Sequence, residues 1–437
     1  VGSLLALWVG CGDAEPDVGS TGFPDVPDSP GDDPTTPDDT PPGDSPEPPP
    51  PPSPSPPTDD PLPTFDVVAG DWRPAPLPAG RIDAAAIRPL GGGLEGPALW
   101  VDNNPEKVFG NGWTMQSGRA DAQRGGRSDG LGPRFVAYAF HVNGSSATRY
   151  YHVLVTNPNP ETATVTAVGA AYNNAQRPLN GPGTGQSYAV ADAFRTGAFN
   201  VDVDAIVPTG TGRELARVRM PPSAMVDVRL VVETDRPVFV YGVVTSSGST
   251  NDAINLSQAG SAAGEIVSPG PNAFGRQAGI FDQSRWAGTT RIELATGYVG
   301  LAFNTNDKFA LDGVRLQDQS AIARTSLADS SVKSYGNYGM DYDVELDLFN
   351  PTTSALRVDL TFASNVVGDS DRPSFTWSGP VVVDGVNNVV FTTPRAPRQP
   401  VASVVVEPGQ HRRIPVAAYV PGLITAGAHL LLEAQPQ

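Results

Sequence analysis

The sequence predicts an all-β protein in which two tandem antiparallel β-sandwich-like domains follow a disordered N-terminal tether. Three observations predict it. Short alternating or valine-rich runs, separated by clusters of Gly, Pro, Asn and Asp, recur from about residue 64 to the C-terminus. Helical periodicity is scarce: residues 189–194 suggest a single turn, and no run is long enough to carry the crossover of a parallel α/β sheet. The first 63 residues hold one apolar run and then almost nothing that could form a core.

The apolar run is Leu4-Leu5-Ala6-Leu7-Trp8-Val9-Gly10, and Cys11, the single cysteine of the chain, ends it. It is too short for a membrane span, which needs roughly 20 apolar residues, and it fits the hydrophobic region of an export signal that ends at small residues. The chain starts at Val1 with no Met and no basic segment before the run, so residues 1–11 read as the remnant of a signal. Val9-Gly10-Cys11 resembles a bacterial lipobox, with Trp8 where that pattern prefers leucine. The resemblance implies that Cys11 is lipidated and becomes the first mature residue; the alternatives are a free thiol at a frayed terminus or a signal cut elsewhere. With one cysteine, no intramolecular disulfide staples the fold.

Residues 12–63 contain no Lys or Arg, and runs such as Asp32-Asp33-Pro34 and Glu47-Pro48 define them. The net charge of −18 includes thirteen carboxylates between Asp13 and Asp60, and setting these aside leaves −5 for the remainder. Such a stretch cannot bury enough apolar surface to offset its ordering entropy. Proline and like charges extend it, and about fifty residues at roughly 3.1 Å each reach on the order of 100–150 Å. The expected role is a spacer that holds a head clear of a lipid surface. Its acidity argues against nucleic-acid binding, because phosphate contact needs Lys and Arg.

The strands of the head include Arg149-Tyr150-Tyr151-His152-Val153-Leu154-Val155, Met225-Val226-Asp227-Val228-Arg229-Leu230-Val231-Val232 and Val238-Phe239-Val240-Tyr241-Gly242-Val243-Val244. An internal echo organises them. Leu154-Val155-Thr156-Asn157-Pro158 matches Leu348-Phe349-Asn350-Pro351, and Val218-Arg219-Met220-Pro221-Pro222 matches Val405-Val406-Glu407-Pro408-Gly409. In each case an apolar strand stops at a turn built by Asn or Pro. The echo reads either as a duplication or as the recurrence of common hairpins. A boundary within residues 260–275, rich in Ser, Ala, Gly and Pro, divides the head into residues 64–265 and 266–437.

Several blocks resemble an uncharacterised family of exported bacterial proteins, domain-of-unknown-function family 3370. They are Asp102-Asn103-Asn104-Pro105-Glu106-Lys107-Val108, Phe135-Val136-Ala137-Tyr138-Ala139-Phe140-His141-Val142-Asn143, Gly275-Arg276-Gln277-Ala278-Gly279-Ile280 and Ser334-Tyr335-Gly336-Asn337-Tyr338-Gly339-Met340-Asp341-Tyr342. The strand and turn from Leu154 to Pro158 also fit. Phe140 stands where a second histidine is expected. The resemblance implies a β-rich envelope protein and brings no catalytic residues.

Candidate sites are few. The histidines His141, His152, His411 and His429 show no zinc spacing, and each reads as a strand or loop residue. Gly181-Pro182-Gly183-Thr184-Gly185 lacks the lysine of a phosphate loop, and no Gly-x-Ser-x-Gly elbow occurs. Asp341, Asp343, Glu345 and Asp347 share one face of a strand, opposite Tyr342, Val344, Leu346 and Leu348. They read as a solvent face or as a ladder for calcium, completed by a loop with Asp369 and Asp371. Asn304-Thr305-Asn306-Asp307 is a second acidic-polar loop of the same ambiguity. The basic cluster from Arg119 to Arg127 reads as a solvated loop or a contact for an anionic glycan or head group. Trp72, Trp100, Trp113, Trp286 and Trp377 could stack on sugars or fill a core.

The reading is therefore a non-catalytic, lipid-anchored protein of the bacterial cell envelope, at the outer membrane or cell surface. It presents β-sandwiches to a glycan, a matrix or an envelope protein, with no cofactor other than calcium to consider and no nucleic acid. The alternative is a carbohydrate-active hydrolase with paired carboxylates.

Overall fold

Most long strands from residue 98 onward bury alternate side chains against a facing sheet, and that alternation builds two sandwiches. The computed structural model describes residues 63–103, 106–174, 181–258, 277–306, 317–328, 330–364, 377–393, 395–420, 422 and 427–437. Cys11 and the tether lie outside these residues. Three short strands come first: β1 (Phe65–Val67), β2 (Ile87–Arg88) and β3 (Gly93–Glu95). Then follow β4 (Ala98–Asn103), β5 (Lys107–Val108), β6 (Gly112–Gln116), β7 (Arg134–Asn143) and β8 (Arg149–Thr156). After β9 (Ala163–Asn174) come helix α1 (Gln186–Thr196), β10 (Val201–Val207), β11 (Gly212–Met220), β12 (Met225–Thr234), β13 (Phe239–Thr245) and helix α2 (Thr250–Gln258). The C-terminal part holds β14 (Gln277–Phe281), β15 (Arg285–Glu293), β16 (Gly297–Phe303), β17 (Ala323–Ser326), β18 (Asp341–Phe349) and β19 (Leu356–Ser364). It ends with β20 (Trp377–Val383), β21 (Val386–Thr392), β22 (Arg398–Val406), β23 (His411–Tyr419) and β24 (Ala428–Pro436).

The all-β class holds. One sandwich faces the sheet β10-β9-β12-β7-β4-β14-β17 onto β11-β8-β13-β6, and the other faces β21-β20-β23-β18-β15-β1 onto β22-β19-β24-β16-β2. Substituting β15, β16 and β18–β24 for β4, β6 and β7–β13 turns the first strand order into the second. Both copies also contain the same parallel step, β4 beside β7 and β15 beside β18. The sheets are thus mixed rather than purely antiparallel. In each copy a strand of the facing sheet, β6 or β16, carries the crossover that a helix supplies in α/β proteins.

Asparagine at matching strand ends shows the correspondence atom by atom. Asn143 Nδ2 donates to the carbonyls of Ala147 and Met220, both at 2.8 Å, and its Oδ1 accepts from Ser145 N at 3.0 Å. Asn350 Nδ2 donates to Ser354 O at 2.9 Å and Val406 O at 2.8 Å, and its Oδ1 accepts from Thr352 N at 3.0 Å. The following turns match as well: Ser223 N donates to Asn143 O and Gly409 N to Asn350 O, with φ of 62° and 70°. The partner of Asn350 is therefore Asn143. Asn157, which the sequence pairs with it, uses the same device one strand later, on Glu161 O and Val207 O.

Strands cross the expected ranges 64–265 and 266–437 in both directions. The segment carrying β1–β3 pairs with β15 and β16 of the second sandwich, while β14 and β17 extend the first. Contacts join residues 62–437 as one compact unit. The N-terminal segment is tied down by Trp72 Nε1 donating to Glu293 O at 2.9 Å, by the Arg88–Asp71 pair at 2.7 Å and by Arg398 on the carbonyls of Pro78 and Gly80. Its Ile82, Ala86 and Ile87 cover Tyr298, Ala302, Ala363 and Leu431. His429 is fully buried, on the strand that carries Leu431.

Two tests follow from this architecture. Replacing Asn143 or Asn350 by alanine strands several buried backbone groups, and each variant loses about 2–4 kcal/mol in urea unfolding, by similar amounts for the two sites. A loss below about 0.5 kcal/mol at either site contradicts the shared role. The second concerns acid. Burial lowers His429 from 6.5 to about 3, so the unfolded state takes up a proton below about pH 6.5 that the folded state refuses until about pH 3. Stability is lost as pH falls through that window, by at most about 1.4 kcal/mol per pH unit. In His429→Phe this loss shrinks; acid limbs that coincide for variant and wild type contradict it.

Candidate functional site: the joint between the sandwiches

Strand β12 alternates, so its core-facing Val226, Val228, Leu230 and Val232 leave Asp227 and Arg229 on the outer face of the first sandwich. That face is not solvated over its whole length. Helix α1 packs on β9 and β12 and also on β20, and Val190, Ala191 and Ala193 join Tyr138, Phe140, Met225, Met340 and Tyr419 in one apolar cluster. The small side chains of α1 let it lie close to the sheet. Gly197, in the left-handed region at φ 73°, ends the helix by donating to Ala193 O. The single turn expected at residues 189–194 is thus an eleven-residue helix.

Arg229, 3% exposed, is the charged centre of this joint. Its Nη2 donates to Asp341 Oδ2 at 2.5 Å and its Nε to Gly339 O at 3.2 Å. The guanidinium lies over the rings of Phe194 and Tyr419, 4.1 and 4.9 Å from their centroids. Asp227 is fully buried and accepts from Gly422 N at 3.3 Å. Burial raises its carboxyl from 3.8 to about 7, against the opposing pull of the Ser187 hydroxyl, the Gly422 amide and Arg229. Glycine is required at two contacts here. A Cβ on Gly339 would meet the Tyr138 side chain at 2.6 Å, and one on Gly422 would meet the Phe140 ring at 2.5 Å.

A buried polar network holds the loops that reach this joint. Asn337 Nδ2 donates to Asn304 Oδ1 and to Gln319 O, both at 3.1 Å, and the Tyr342 hydroxyl donates to Gln319 Oε1 at 2.9 Å. Thr305 Oγ1 donates to Gln317 O at 2.6 Å, and Asn306 Nδ2 to Tyr335 O at 2.5 Å. Asn304 and Asn337 adopt φ of 50° and 52°, which asparagine tolerates. Gln277, with its amide oxygen toward the chain, accepts from the amides of Tyr335 and Gly336. The residues read as an acidic-polar loop at 304–306 are therefore interior, and Asp307 lies outside the described residues.

A second interior cluster sits inside the first sandwich. Asp102 Oδ2 accepts from the Tyr151 hydroxyl at 2.7 Å and from the Thr114 hydroxyl, while His141 Nε2 lies 3.2 Å from Asp102 Oδ1. All four are at most 1% exposed. Burial and the neighbouring Asp102 charge hold the Tyr151 phenol well above its ordinary range. The arrangement staples two facing sheets and presents no reactive atom to solvent. The blocks of the family resemblance thus fall mainly on the joint and on this cluster.

The four acids of β18 alternate with buried Tyr342, Val344, Leu346 and Leu348. Three face an arginine and one a histidine: Asp341 has Arg229, Asp343 has Arg285 at 3.8 Å, Glu345 has Arg413 at 3.7 Å and Asp347 has the His411 ring at 3.0 Å. By register Asp343, Glu345 and Asp347 correspond to Val136, Tyr138 and Phe140 of β7, and Asp341 to Arg134. Glu345 pairs with Pro415 as Tyr138 pairs with Arg229, and Asp347 pairs with Arg413 as Phe140 pairs with Asp227. The same sheet face is covered in the first sandwich and charged in the second. Asp369 and Asp371 lie outside the described residues, and among the described residues no three His, Cys, Asp or Glu side chains group as a metal set.

The other sequence candidates take structural places. Trp72, Trp100, Trp113, Trp286 and Trp377 are all buried. His152 lies between Glu214 Oε2 at 2.6 Å and Thr245 Oγ1 at 2.9 Å. Arg119 pairs with Asp121, and Arg124 donates to the carbonyls of Ala328 and Ser330. A shallow, open groove of about 380 Å³ crosses the outer face of the first sandwich, lined by Pro133, Arg134, Thr164, Thr166, Glu233, Thr234 and Asp235. Glu233 pairs there with Arg134 at 3.6 Å, and Asp235 accepts from Thr164 N at 2.8 Å.

Sequence reasoning missed Asp227 and Arg229, although a signal was present. They are the two charged positions in an otherwise apolar run from Met225 to Val232, and a strand buried on both faces reads as such a run. Breaking the pair is costly: Arg229→Met loses about 3–5 kcal/mol in urea unfolding. Arg229→Lys recovers only part of that, because an ammonium cannot bond Asp341 and Gly339 O in the same fork. A loss under 1 kcal/mol in Arg229→Met contradicts this role.

No protein in the curated set matches this sequence. Among solved structures, Lac15 from a marine microbial metagenome is 12% identical, over 78% of this chain and 64% of Lac15, with a TM-score of 0.13. This chain thus spans just under two thirds of the length of Lac15. An anti-sigma factor domain-containing protein from Clostridium clariflavum is 9% identical, over 66% of this chain and 79% of that one, with a TM-score of 0.15. The tandem CBM22-1-CBM22-2 domains of Xyn10C from Paenibacillus barcinonensis are 8% identical, over 76% and 90%, also at 0.15. Residues 255–383, from within α2 to the end of β20, match the family described as "Protein of unknown function (DUF3370)", the family that the sequence blocks resemble.

Proposed function

We propose that this chain is a non-catalytic protein of the bacterial cell envelope, anchored by a lipid on Cys11, whose head binds a surface glycan, a matrix or an envelope protein. The observation that carries this reading is the inward use of chemistry in the head. The Asp102–His141–Tyr151 cluster and the Arg229–Asp341 pair are spent on joining elements, and the five described tryptophans are buried. What the described residues turn outward is sheet face and a shallow groove, a form suited to binding. The export-like apolar run, the cysteine at its end and the acidic proline-rich stretch after it support the anchor and spacer. The groove holds two carboxylates, Glu233 and Asp235, on which the hydrolase reading would rest, and both are already engaged on an open surface.

Radiolabelled palmitate fed to bacteria expressing the full chain is expected to label the wild type and not Cys11→Ala; label that persists in the variant removes the anchor. The purified full chain on a glycan array, with and without calcium, is expected to bind without releasing sugar. Turnover abolished by Glu233→Gln would replace the binding reading with the enzymatic one.

A further inference from the structure

The joint holds two carboxylates and one guanidinium, and the two acids are not equivalent. Asp341 is about one-third exposed and takes the Arg229 Nη2 bond. Arg229 spends its remaining contacts on Gly339 O and on the rings of Phe194 and Tyr419. Asp227, fully buried, therefore lies beside a cation already committed to another acid. Side chains from several elements face it. Tyr138 and Phe140 come from β7, Tyr172 from β9, Ser187 from α1 and Tyr419 from β23, while Tyr338 lies beyond Tyr138. The phenols of Tyr138 and Tyr419 are pushed well above their ordinary range by burial first and then by the charge of Asp227, so neither supplies or takes a proton near neutrality. The contact that crosses the joint is Gly422 N, from the turn after β23, onto Asp227 Oδ2.

We propose that Asp227 is a pH-sensitive latch between the two sandwiches, closed most tightly when its carboxyl is protonated and loosened when it is ionised. The physical reason is that an ionised carboxylate shut among tyrosine and phenylalanine rings, with its nearest cation paired elsewhere, is poorly solvated. Opening the joint returns water to it. The direction follows from linkage. The carboxyl titrates at about 7 in the closed joint and near 3.8 when exposed, so the closed state holds a proton that the open state releases. The open fraction rises with pH from about 4 to 7, by up to about tenfold per unit, and levels off above 7.

Hydrogen exchange of the full chain between pH 5 and 8, corrected for intrinsic rates, reads this directly at the amide of Gly422, which bonds across the joint to Asp227 Oδ2. Protection at this amide is expected to rise on acidification from pH 7 to 5 by about ten- to a hundredfold. Asp227→Asn, a neutral isostere, is expected to abolish the dependence. Asp341→Asn leaves Arg229 to pair with Asp227, and the window is expected to move to lower pH. Flat wild-type protection at the joint across pH 5–8 overturns the latch even if no variant folds. So does a dependence that survives in Asp227→Asn.

Discussion

A single buried guanidinium decides how the two halves of the head relate. Removing Arg229 from water costs several kcal/mol unless its charge and its donors are met, and its described hydrogen bonds both go to the other sandwich. Asp341 takes one nitrogen, the Gly339 carbonyl another, and the ring of Tyr419 one face. Asp341 and Gly339 follow the loop around Asn337, which the Asn304–Gln319–Asn337–Tyr342 network holds. The interior polar chemistry of this protein therefore serves assembly. It makes one unit from two sandwiches that each own a complete apolar core.

The repeat explains why the joint is possible. The two sandwiches share strand order, the parallel step and the asparagine that ties a strand end to the next turn, yet their matching outer faces differ. Where β7 carries Tyr138 and Phe140, β18 carries Glu345 and Asp347; where β12 carries Asp227 and Arg229, β23 carries Arg413 and Pro415. One face is covered and the other charged. Continued stacking by that same face would bring ionic rows against apolar surface.

The strands were legible because their buried face leaves a period of two, as in Tyr342, Val344, Leu346 and Leu348. The turns were legible through Asn and Pro. The echo was visible too, but it placed Asn350 against Asn157 because the Asn-Pro pair recurs there, while the geometry aligns it with Asn143-Gly144. The segment with β1–β3 escaped notice, since two- and three-residue strands leave no period. The joint escaped for a different reason. Alternation says that Asp227 and Arg229 face outward, which they do; it cannot say that a second sandwich and α1 lie outside. Only the family blocks hinted at it, because Ser334 to Tyr342 is rich in Gly, Asn and Tyr where a loop is pressed onto a neighbour.

The claim that the head is one cooperative unit is most directly tested by scanning calorimetry of the wild-type protein. A single transition with equal calorimetric and van't Hoff enthalpies is the result predicted for residues 62–437. Two resolved transitions, each with the enthalpy of about half the head, would contradict it.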